Sequence, residues 1–253
     1  MATLRIKDKS VKAKLAIFDK DGTIVDFCYA WEKVARARIK VMIEEIGISS
    51  SLANEILSSF GIDPATGTID PRGPLVQASQ EDEIIITASV LYRSGYHWDE
   101  AYQIAKKVFE TANNLYRLED LTKSVPGIFD LLSRLKRSGI KIALATIDDY
   151  SRTLKILEIT NLKKFFDFIV TGKDVKNTKP DPEMIFNICQ KLKISPGESI
   201  MIGDTINDMI MGKNAGVALT VGVLNGVNSP EVFSGWADVV VNSLAEIKVE
   251  GEN

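Results

Sequence analysis

The sequence KLAIFDKDGT, residues 14–23, decides how this chain folds. Its four apolar residues, Leu15–Phe18, predict a buried strand, because the run is too short to form a helix of its own. Asp19 and Asp21 follow where that strand leaves the sheet, and ligands of open α/β sheets bind at the carboxyl ends of strands. Two carboxylates one residue apart repel each other, so they need a cation, a shared proton or water. Alone, the stretch could equally be an acidic turn that caps the next segment.

Length and composition indicate a globular protein of one large domain or two modest ones. The chain has 253 residues, of which 45% are hydrophobic and 26% charged, and its formal net charge is −3. This balance argues against a nucleic-acid binder, which is usually strongly basic. No apolar run has the length of a signal-peptide core or of a membrane span. Cys28 and Cys189 lie far apart, which favours reduced thiols in a cytoplasmic protein over a disulfide framework.

The pattern of the chain changes twice after this first strand. Residues 27–118 have helical periodicity, interrupted by a loop at 61–74 that holds three glycines and three prolines. From about residue 125, short apolar runs alternate with amphipathic segments, which predicts a parallel, doubly wound sheet. We therefore predict an α/β fold with a Rossmann-like core of residues 1–26 and 119–253. An all-helical cap, residues 27–118, is inserted after the first strand and is expected to determine substrate specificity.

Further polar residues are predicted at the ends of neighbouring strands. Thr146 ends a strand at 141–146, Lys179 lies in the loop after the following strand, and Asp204 ends a strand at 199–204. Asp208 comes one helical turn after Asp204. Each residue alone has an ordinary structural explanation, such as a capped hydroxyl, a solvated lysine or a helix cap. Together with Asp19 and Asp21, they indicate one site at one edge of the sheet.

With these residues the chain resembles the haloacid dehalogenase-like (HAD) hydrolase superfamily. The four motifs of that superfamily match residues 19–23, Thr146, Lys179 and the run from Gly203 to Asp208. The match covers the whole chain and looks most like the phosphoglycolate phosphatase-like members, in which a helical cap follows the first motif. The resemblance implies a Mg²⁺-dependent phosphatase that hydrolyses a small phosphomonoester through an aspartyl-phosphate intermediate.

The resemblance also implies a role for each motif residue. Asp19 is the nucleophile, and it ligates Mg²⁺ together with Asp204 and the backbone carbonyl of Asp21. The side chain of Asp21 protonates the leaving alkoxide and later deprotonates water. Thr146 donates a hydrogen bond to phosphoryl oxygens, and Lys179 offsets the negative charge of Asp19 and the phosphoryl group. The supporting residues are Asp208, Gly22 and Thr23.

The core motifs leave the substrate and part of the reaction open. Phosphoglycolate is the substrate that the resemblance implies, and sugar phosphates and nucleoside monophosphates are alternatives. A sugar-phosphate phosphomutase would use the same residues, whereas a non-catalytic binding or regulatory protein on this fold would be expected to lack a key acid. Family members that dehalogenate or cleave phosphonates lack an acid at the position of Asp21. In the cap, Arg72 and Gly73 are candidates for substrate contact, and the alternative for Arg72 is a surface-packed connection.

Lys20 departs from the family pattern, which often has an apolar residue between the two acids. Its ammonium group could face solvent, face the cap, or add to the positive field at the phosphate. Because lysine is rarely buried, we expect a peripheral, solvated side chain here.

Overall fold

The computed structural model of the protein describes residues 2–70, 72–224 and 230–250. The chain divides into two compact units. One comprises Met1–Asp26 and Thr122–Asn253, and contains strands and helices; the other, Phe27–Leu121, is helical. Within the described residues, no helix is both long and apolar enough to cross a membrane.

The strands all belong to the first unit. In chain order they are β1 (Ala2–Ile6), β2 (Lys9–Ala13), β3 (Leu15–Phe18), β4 (Lys141–Ala145), β5 (Phe168–Val170), β6 (Ser199–Gly203), β7 (Leu219–Val223), β8 (Val239–Val241) and β9 (Ile247–Val249). The predicted strands at 141–146 and 199–204 are each one residue shorter, because Thr146 and Asp204 lie just beyond the sheet.

Six strands in the described part of the chain form a parallel sheet with the order β5-β4-β3-β6-β7-β8. Phe18 of β3 is in register with Leu144 of β4 and Ile202 of β6. The residues of β3 are all buried, as an uninterrupted apolar run predicts for a strand with both faces covered. The α/β fold is therefore confirmed, and the carboxyl ends of β3, β4 and β6 lie side by side.

The helical unit is built from six helices in its described residues. They are α1 (Phe27–Val41), α2 (Ser50–Ser59), α3 (Pro74–Gln77), α4 (Gln80–Arg93), α5 (Trp98–Asn113) and α6 (Leu118–Leu121). A π-helical turn, Met42–Ile46, extends α1 and ends at Gly47, which has a φ of 74°. Ser49 caps α2 by accepting a hydrogen bond from the Leu52 amide, as its position before the helix predicts.

The interior of the helical unit is mostly apolar but contains a buried ion pair. Arg38 of α1 donates to Glu83 of α4 at 2.9 Å, and both side chains are only 1% exposed. The Arg38 guanidinium also stacks on the ring of Phe109 of α5, 3.8 Å from its centroid. Burial lowers the pKa of Arg38 and raises that of Glu83, and their attraction opposes both shifts.

Four longer helices complete the α/β unit in its described residues. They are α7 (Ile128–Arg137), α8 (Tyr150–Ile159), α9 (Glu183–Leu192) and α10 (Ile206–Ala215). Short 3₁₀ turns lie at Lys163–Phe165, Gly172–Asp174, Pro196–Glu198, Pro230–Phe233 and Leu244–Glu246. Asp149 caps α8, and Thr205 and Asp208 form a capping box on α10. Both helices therefore begin beside the strand ends that carry the candidate site.

A second, antiparallel sheet has the order β2-β1-β9 and joins the two ends of the described chain. Leu4 and Ile6 of β1 are fully buried, whereas Arg5 between them is exposed. The sheet packs on α7, where Arg134 donates to the backbone carbonyl of Ile247 at 3.2 Å. This sheet was not predicted from the sequence.

Candidate active site

The loop after β3 is a tight turn in which one backbone carbonyl group accepts more than one hydrogen bond. The backbone oxygen of Lys20 accepts hydrogen bonds from Ile24 and Val25 at 2.9 and 3.0 Å. Asp19, at the start of the loop, is still tied to the sheet, because its amide donates to Ile202 at 2.9 Å. Gly22 has a φ of +77°, which a residue with a side chain adopts only with strain. The turn holds Asp19 and Asp21 at the carboxyl end of the central strand.

Gly22 and Thr23 bring this loop against Asp204, the residue after β6. A Cβ atom at Gly22 would lie 2.0 Å from Oδ2 of Asp204, so only glycine permits this approach. The Thr23 hydroxyl is fully buried and donates to Oδ1 of Asp204 at 3.2 Å. The two residues therefore fix the position of a carboxylate that lies far away in the sequence.

Lys179 lies between two acids in the interior of the site. Its ammonium group forms ion pairs with Asp19 and, at 2.7 Å, with Oδ1 of Asp208. Burial disfavours the charged form of Lys179, but the two carboxylates outweigh this and raise its pKa. Lys179 therefore remains a cation beside Asp19.

Asp208 is fully buried and has both of its oxygens engaged. Oδ2 accepts hydrogen bonds from the Thr205 amide and hydroxyl at 3.1 and 2.6 Å, while Oδ1 faces Lys179. The residue before Asp204 is Gly203, at which a Cβ atom would lie 2.4 Å from the Cβ of Asp208. Asp208 thus caps α10 and positions Lys179 at the same time.

Thr146 lies just after β4 and is buried. Its amide donates to the carbonyl of Val170 at 3.0 Å, which continues the pairing of β4 with β5. Its hydroxyl oxygen accepts from the Asp148 amide at 3.2 Å. The hydroxyl hydrogen can therefore be donated to a ligand oxygen at this edge of the sheet.

Three carboxylates converge at the centre of this group. Ligand oxygens of Asp19, Asp204 and Asp208 all lie within 4.8 Å of one another. The pKa of Asp19 is raised to about 6, chiefly by burial and then by the nearby Asp208, while Lys179 opposes the shift. Burial, followed by the charges of Asp19 and Asp208, raises the pKa of Asp204 well above its usual range. A divalent cation with a preference for oxygen ligands fits this donor set, because it would relieve the repulsion between the acids.

Asp19 and Asp204 are the acids in this group best suited to hold a metal. Asp208 already binds Lys179 and the start of α10, so its oxygens are less accessible. The side chain of Asp21 is not part of the carboxylate group found among the described residues, and metal binding by its backbone carbonyl stays a prediction.

The expectation that Lys20 is peripheral and solvated is wrong. Its side chain is 1% exposed, and its Nζ atom lies 2.6 Å from Asp21 Oδ2 and 3.0 Å from Asp148 Oδ2. A buried lysine needs its charge compensated, and two carboxylates from two different loops do so here. The expectation failed because Asp148 is distant in sequence and becomes a neighbour only in the folded protein.

Asp148 is the site residue that sequence reasoning missed. It follows Thr146 by two residues and lies at the carboxyl end of β4, next to the loop that holds Asp21. Arg152 of α8 approaches the same carboxylate oxygen at 3.4 Å. The signal available in the sequence was a second pair of acids, Asp148 and Asp149, directly after a predicted strand.

The cap candidates Arg72 and Gly73 lie in the helical unit. The Arg72 side chain is 86% exposed, and its guanidinium pairs with both carboxylate oxygens of Asp70 at 3.2 and 3.3 Å. Gly73 packs tightly, because a Cβ atom there would lie 3.0 Å from Gly61 Cα. Pro71, which directly precedes Arg72 in the loop at 61–74, lies outside the described residues. Substrate contact by Arg72 and Gly73 stays a prediction.

Known proteins resemble this chain over most of its length. A pyrophosphatase PpaX from Bacillus velezensis is 30% identical over 243 residues, which are 95% of this chain and 96% of that protein. A phosphoglycolate phosphatase from Psychrobacter arcticus is 35% identical over 217 residues, or 85% of each protein. The crystal structure of a HAD-superfamily hydrolase, subfamily IA, variant 1, from Geobacter sulfurreducens has the same fold, with a TM-score of 0.61 and 20% identity over 91% of this chain and 92% of that one.

The family assignment rests on the sequence and not on the fold alone. Residues 13–216 match the sequence model of the haloacid dehalogenase-like hydrolases. The matched region extends from the end of β2 to the residue after α10 and therefore includes every core residue of the candidate site. The protein belongs to the haloacid dehalogenase-like hydrolase family.

Proposed function

We propose that this protein is a Mg²⁺-dependent phosphatase that hydrolyses a small phosphomonoester through an aspartyl-phosphate at Asp19. The observation that carries the proposal is the surroundings of the Asp19 carboxylate. It lies against the Lys179 ammonium, it is within 4.8 Å of the Asp204 oxygens, and Asp21 is two residues away in the same turn. These contacts support a role for Asp19 as nucleophile, Lys179 as the charge-offsetting cation and Asp21 as the proton-transfer group.

Two displacements at phosphorus account for the reaction. In the first, a carboxylate oxygen of Asp19 bonds to phosphorus, the bond to the ester oxygen breaks, and Asp21 gives that oxygen a proton. In the second, Asp21 takes a proton from water, whose oxygen bonds to phosphorus and releases phosphate from Asp19. Lys179 and the Thr146 hydroxyl stabilise the negative charge on the phosphoryl oxygens in both displacements.

Asp19, Asp204 and the backbone carbonyl of Asp21 would hold Mg²⁺ in this site. When bound, the ion offsets the repulsion between a carboxylate nucleophile and an anionic phosphoryl group. The raised pKa of Asp19 and of Asp204 supports this assignment, because burial and then the neighbouring carboxylates destabilise each charged carboxylate, and a bound cation would offset this.

Two observations guide the choice of substrate. Asp21 can protonate an oxygen leaving group, and an alkyl phosphate needs that proton more than pyrophosphate does. Two relatives that match 85% or more of this chain are named as a phosphoglycolate phosphatase and a pyrophosphatase. We therefore propose a small phosphomonoester such as phosphoglycolate, with pyrophosphate as the second candidate. The helical unit, Phe27–Leu121, would supply the contacts that choose among phosphomonoesters, with Arg72 and Gly73 as candidates.

A phosphate-release screen tests the proposal. Phosphoglycolate, pyrophosphate, several sugar phosphates and several nucleoside monophosphates are each assayed with Mg²⁺ and with a chelator. We expect phosphate release from at least one of them with Mg²⁺ and a loss of at least about 100-fold with the chelator. Asp19→Asn is expected to abolish turnover, since an amide does not replace the nucleophile. Turnover that survives either the chelator or Asp19→Asn would contradict the mechanism, and transfer of phosphate within a sugar phosphate without release would indicate the phosphomutase instead.

A further inference from the structure

Lys20 is a buried cation at the edge of the active-site loop. It is among the largest fully buried side chains of the described residues, at a position between two acids. Its Nζ atom lies 2.7 Å from Oδ1 and 2.6 Å from Oδ2 of Asp21, so one ammonium group contacts both oxygens of that carboxylate. Contacts this short between ions are strong hydrogen bonds, and they limit the rotation of the shorter side chain.

The Lys20 ammonium group also contacts a carboxylate from a different loop, the one that follows β4. Asp148 Oδ2 contacts the same Nζ atom at 3.0 Å, and Arg152 approaches that oxygen at 3.4 Å. Asp21, Lys20, Asp148 and Arg152 thus form a row of alternating charges from the loop after β3 to the first turns of α8. Asp148 therefore helps to fix the position of the Lys20 ammonium group independently of Asp21.

Asp21 has few other constraints. Its side chain is 43% exposed, whereas that of Asp19 is nearly buried and paired with Lys179. The same residue that holds its carboxylate also organises the turn, since the Lys20 carbonyl accepts from Ile24 and Val25. The orientation of Asp21 therefore depends on Lys20 more than on packing.

We propose that Lys20, anchored by Asp148, is a positioning residue that orients the Asp21 carboxyl group for proton transfer. This inference rests on the proposed function, in which Asp21 gives a proton to the leaving oxygen. An alkoxide leaves slowly without that proton, whereas p-nitrophenolate is a stable anion that leaves without one. Loss of Lys20 should therefore slow the enzyme for alkyl phosphates and spare it for p-nitrophenyl phosphate.

The test measures release of the leaving group in a single turnover with excess enzyme and Mg²⁺. Lys20→Met, which keeps a similar length and removes the charge, is compared with wild type on p-nitrophenyl phosphate and on the alkyl phosphate that wild type hydrolyses best. We expect alcohol release to fall by about 10- to 100-fold, because misplacing a proton-transfer group loses part of its contribution. We expect p-nitrophenol release to change by less than about 3-fold, because that bond breaks without the proton.

Two further variants test whether the selective loss comes from Lys20 and its contact with Asp148. Lys14→Met makes the same substitution at the other end of β3, where the lysine pairs with Glu198 at 2.6 Å, and is expected to leave both rates unchanged. Asp148→Asn removes the anchor and leaves Lys20 in place, so it should give the same selective loss to a smaller degree. If Lys20→Met does not fold, as judged by thermal melting, Asp148→Asn decides the question.

The results separate the inference from the function on which it rests. Equal losses on the two substrates, or no loss on either, would overturn the role of Lys20 while phosphatase activity stands. If wild type hydrolyses neither substrate with Mg²⁺, the proposed function itself fails. A loss confined to the alkyl phosphate supports the inference, since a defect of structure alone would slow both substrates.

Discussion

Asp19 is a buried acid whose charged form is disfavoured even with the Lys179 ammonium beside it. Its pKa is raised from 3.8 to about 6, first by burial and further by Asp208 and Asp21, although Lys179 opposes the shift. Because the folded state binds the proton more tightly than the unfolded chain, this group makes the metal-free protein less stable as pH rises from about 4 to about 6. The full effect at neutral pH is on the order of 3 kcal/mol.

The pKa of Asp19 predicts a pH-dependent response to Mg²⁺. At about pH 7.5 the ion pairs with a destabilised carboxylate, so we expect a clear rise in the melting temperature. At about pH 5 protons compete for the same carboxylates, and the rise should become much smaller. Melting curves with and without Mg²⁺ at the two pH values measure this. Asp204→Asn should abolish the response, and an equal rise at both pH values would show that Asp19 does not titrate as described.

Gly22 provides a second test at the scale of single residues. Gly22→Ala would place a Cβ atom 2.0 Å from the Asp204 carboxylate, whereas Gly47→Ala, at a similar φ of +74°, would meet no atom within 4 Å. We expect Gly47→Ala to cost only the backbone strain of about 1–2 kcal/mol. Gly22→Ala should cost more and also eliminate the rise in melting temperature caused by Mg²⁺. Equal behaviour of the two variants would mean that Gly22 serves only the turn.

Single residues also show where the sequence sufficed. Asp19, Thr146 and Asp204 could be predicted to lie together, because each follows an apolar run and parallel strands align their carboxyl ends. The burial of Lys20 could not be predicted, because it depends on an ion pair with Asp148, which lies in the loop after a different strand. A lysine with no visible partner in the sequence is expected to be solvated.

At the scale of elements, the helical unit is joined internally by the buried pair of Arg38 and Glu83. The pair connects α1 to α4, and the stacking of Arg38 on Phe109 adds α5. The Nε atom of Arg38 and the Oε1 atom of Glu83 are buried without hydrogen-bond partners. The contacts of the pair therefore do not fully compensate for the cost of removing both charges from water. The strongest effect of the pair is to destabilise any packing that separates the two charges.

Removing one member of this pair should be far more harmful than removing both. Arg38→Met or Glu83→Gln alone is expected to lower the free energy of unfolding by about 3–5 kcal/mol, and Arg38→Met with Glu83→Leu to recover most of that loss. Arg36 and Glu32 on α1 form the matched exposed pair, at 2.9 Å, and Arg36→Met there should cost less than about 1 kcal/mol. Urea unfolding measures all four variants. Equal losses at Arg38 and Arg36 would contradict the importance assigned to burial.

Helices and strands could be predicted where the sequence features that indicate them lie within or next to the element itself. The helix Ile128–Arg137 is an example, because Gly127 and Gly139 lie on either side of it and its apolar face is clear from the sequence. The second sheet was not predicted, since β1 and β2 are five residues each and β1 completes its pairing with β9 near the other end of the chain. The local sign of a strand in β1 was limited to the alternation of Leu4 and Ile6 with polar residues.

At the scale of the whole molecule, the helical unit is inserted into the α/β unit directly after the loop that follows β3. Residues Phe27–Leu121 form a compact unit with a core of their own. The α/β unit contains every core residue of the candidate site, from Asp19 to Asp208. We therefore expect changes in the helical unit to alter the choice of substrate, and changes in the α/β unit to alter the chemistry common to all substrates.

Trapping the phosphorylated enzyme tests the central claim most directly. Wild-type protein with Mg²⁺ is mixed with its best ³²P-labelled phosphomonoester, quenched in acid during turnover, and digested for peptide mapping. The account predicts label on the peptide that contains Asp19, and none with Asp19→Asn or with chelator. Turnover of the substrate without label on that peptide, or wild-type turnover by Asp19→Asn, would contradict it.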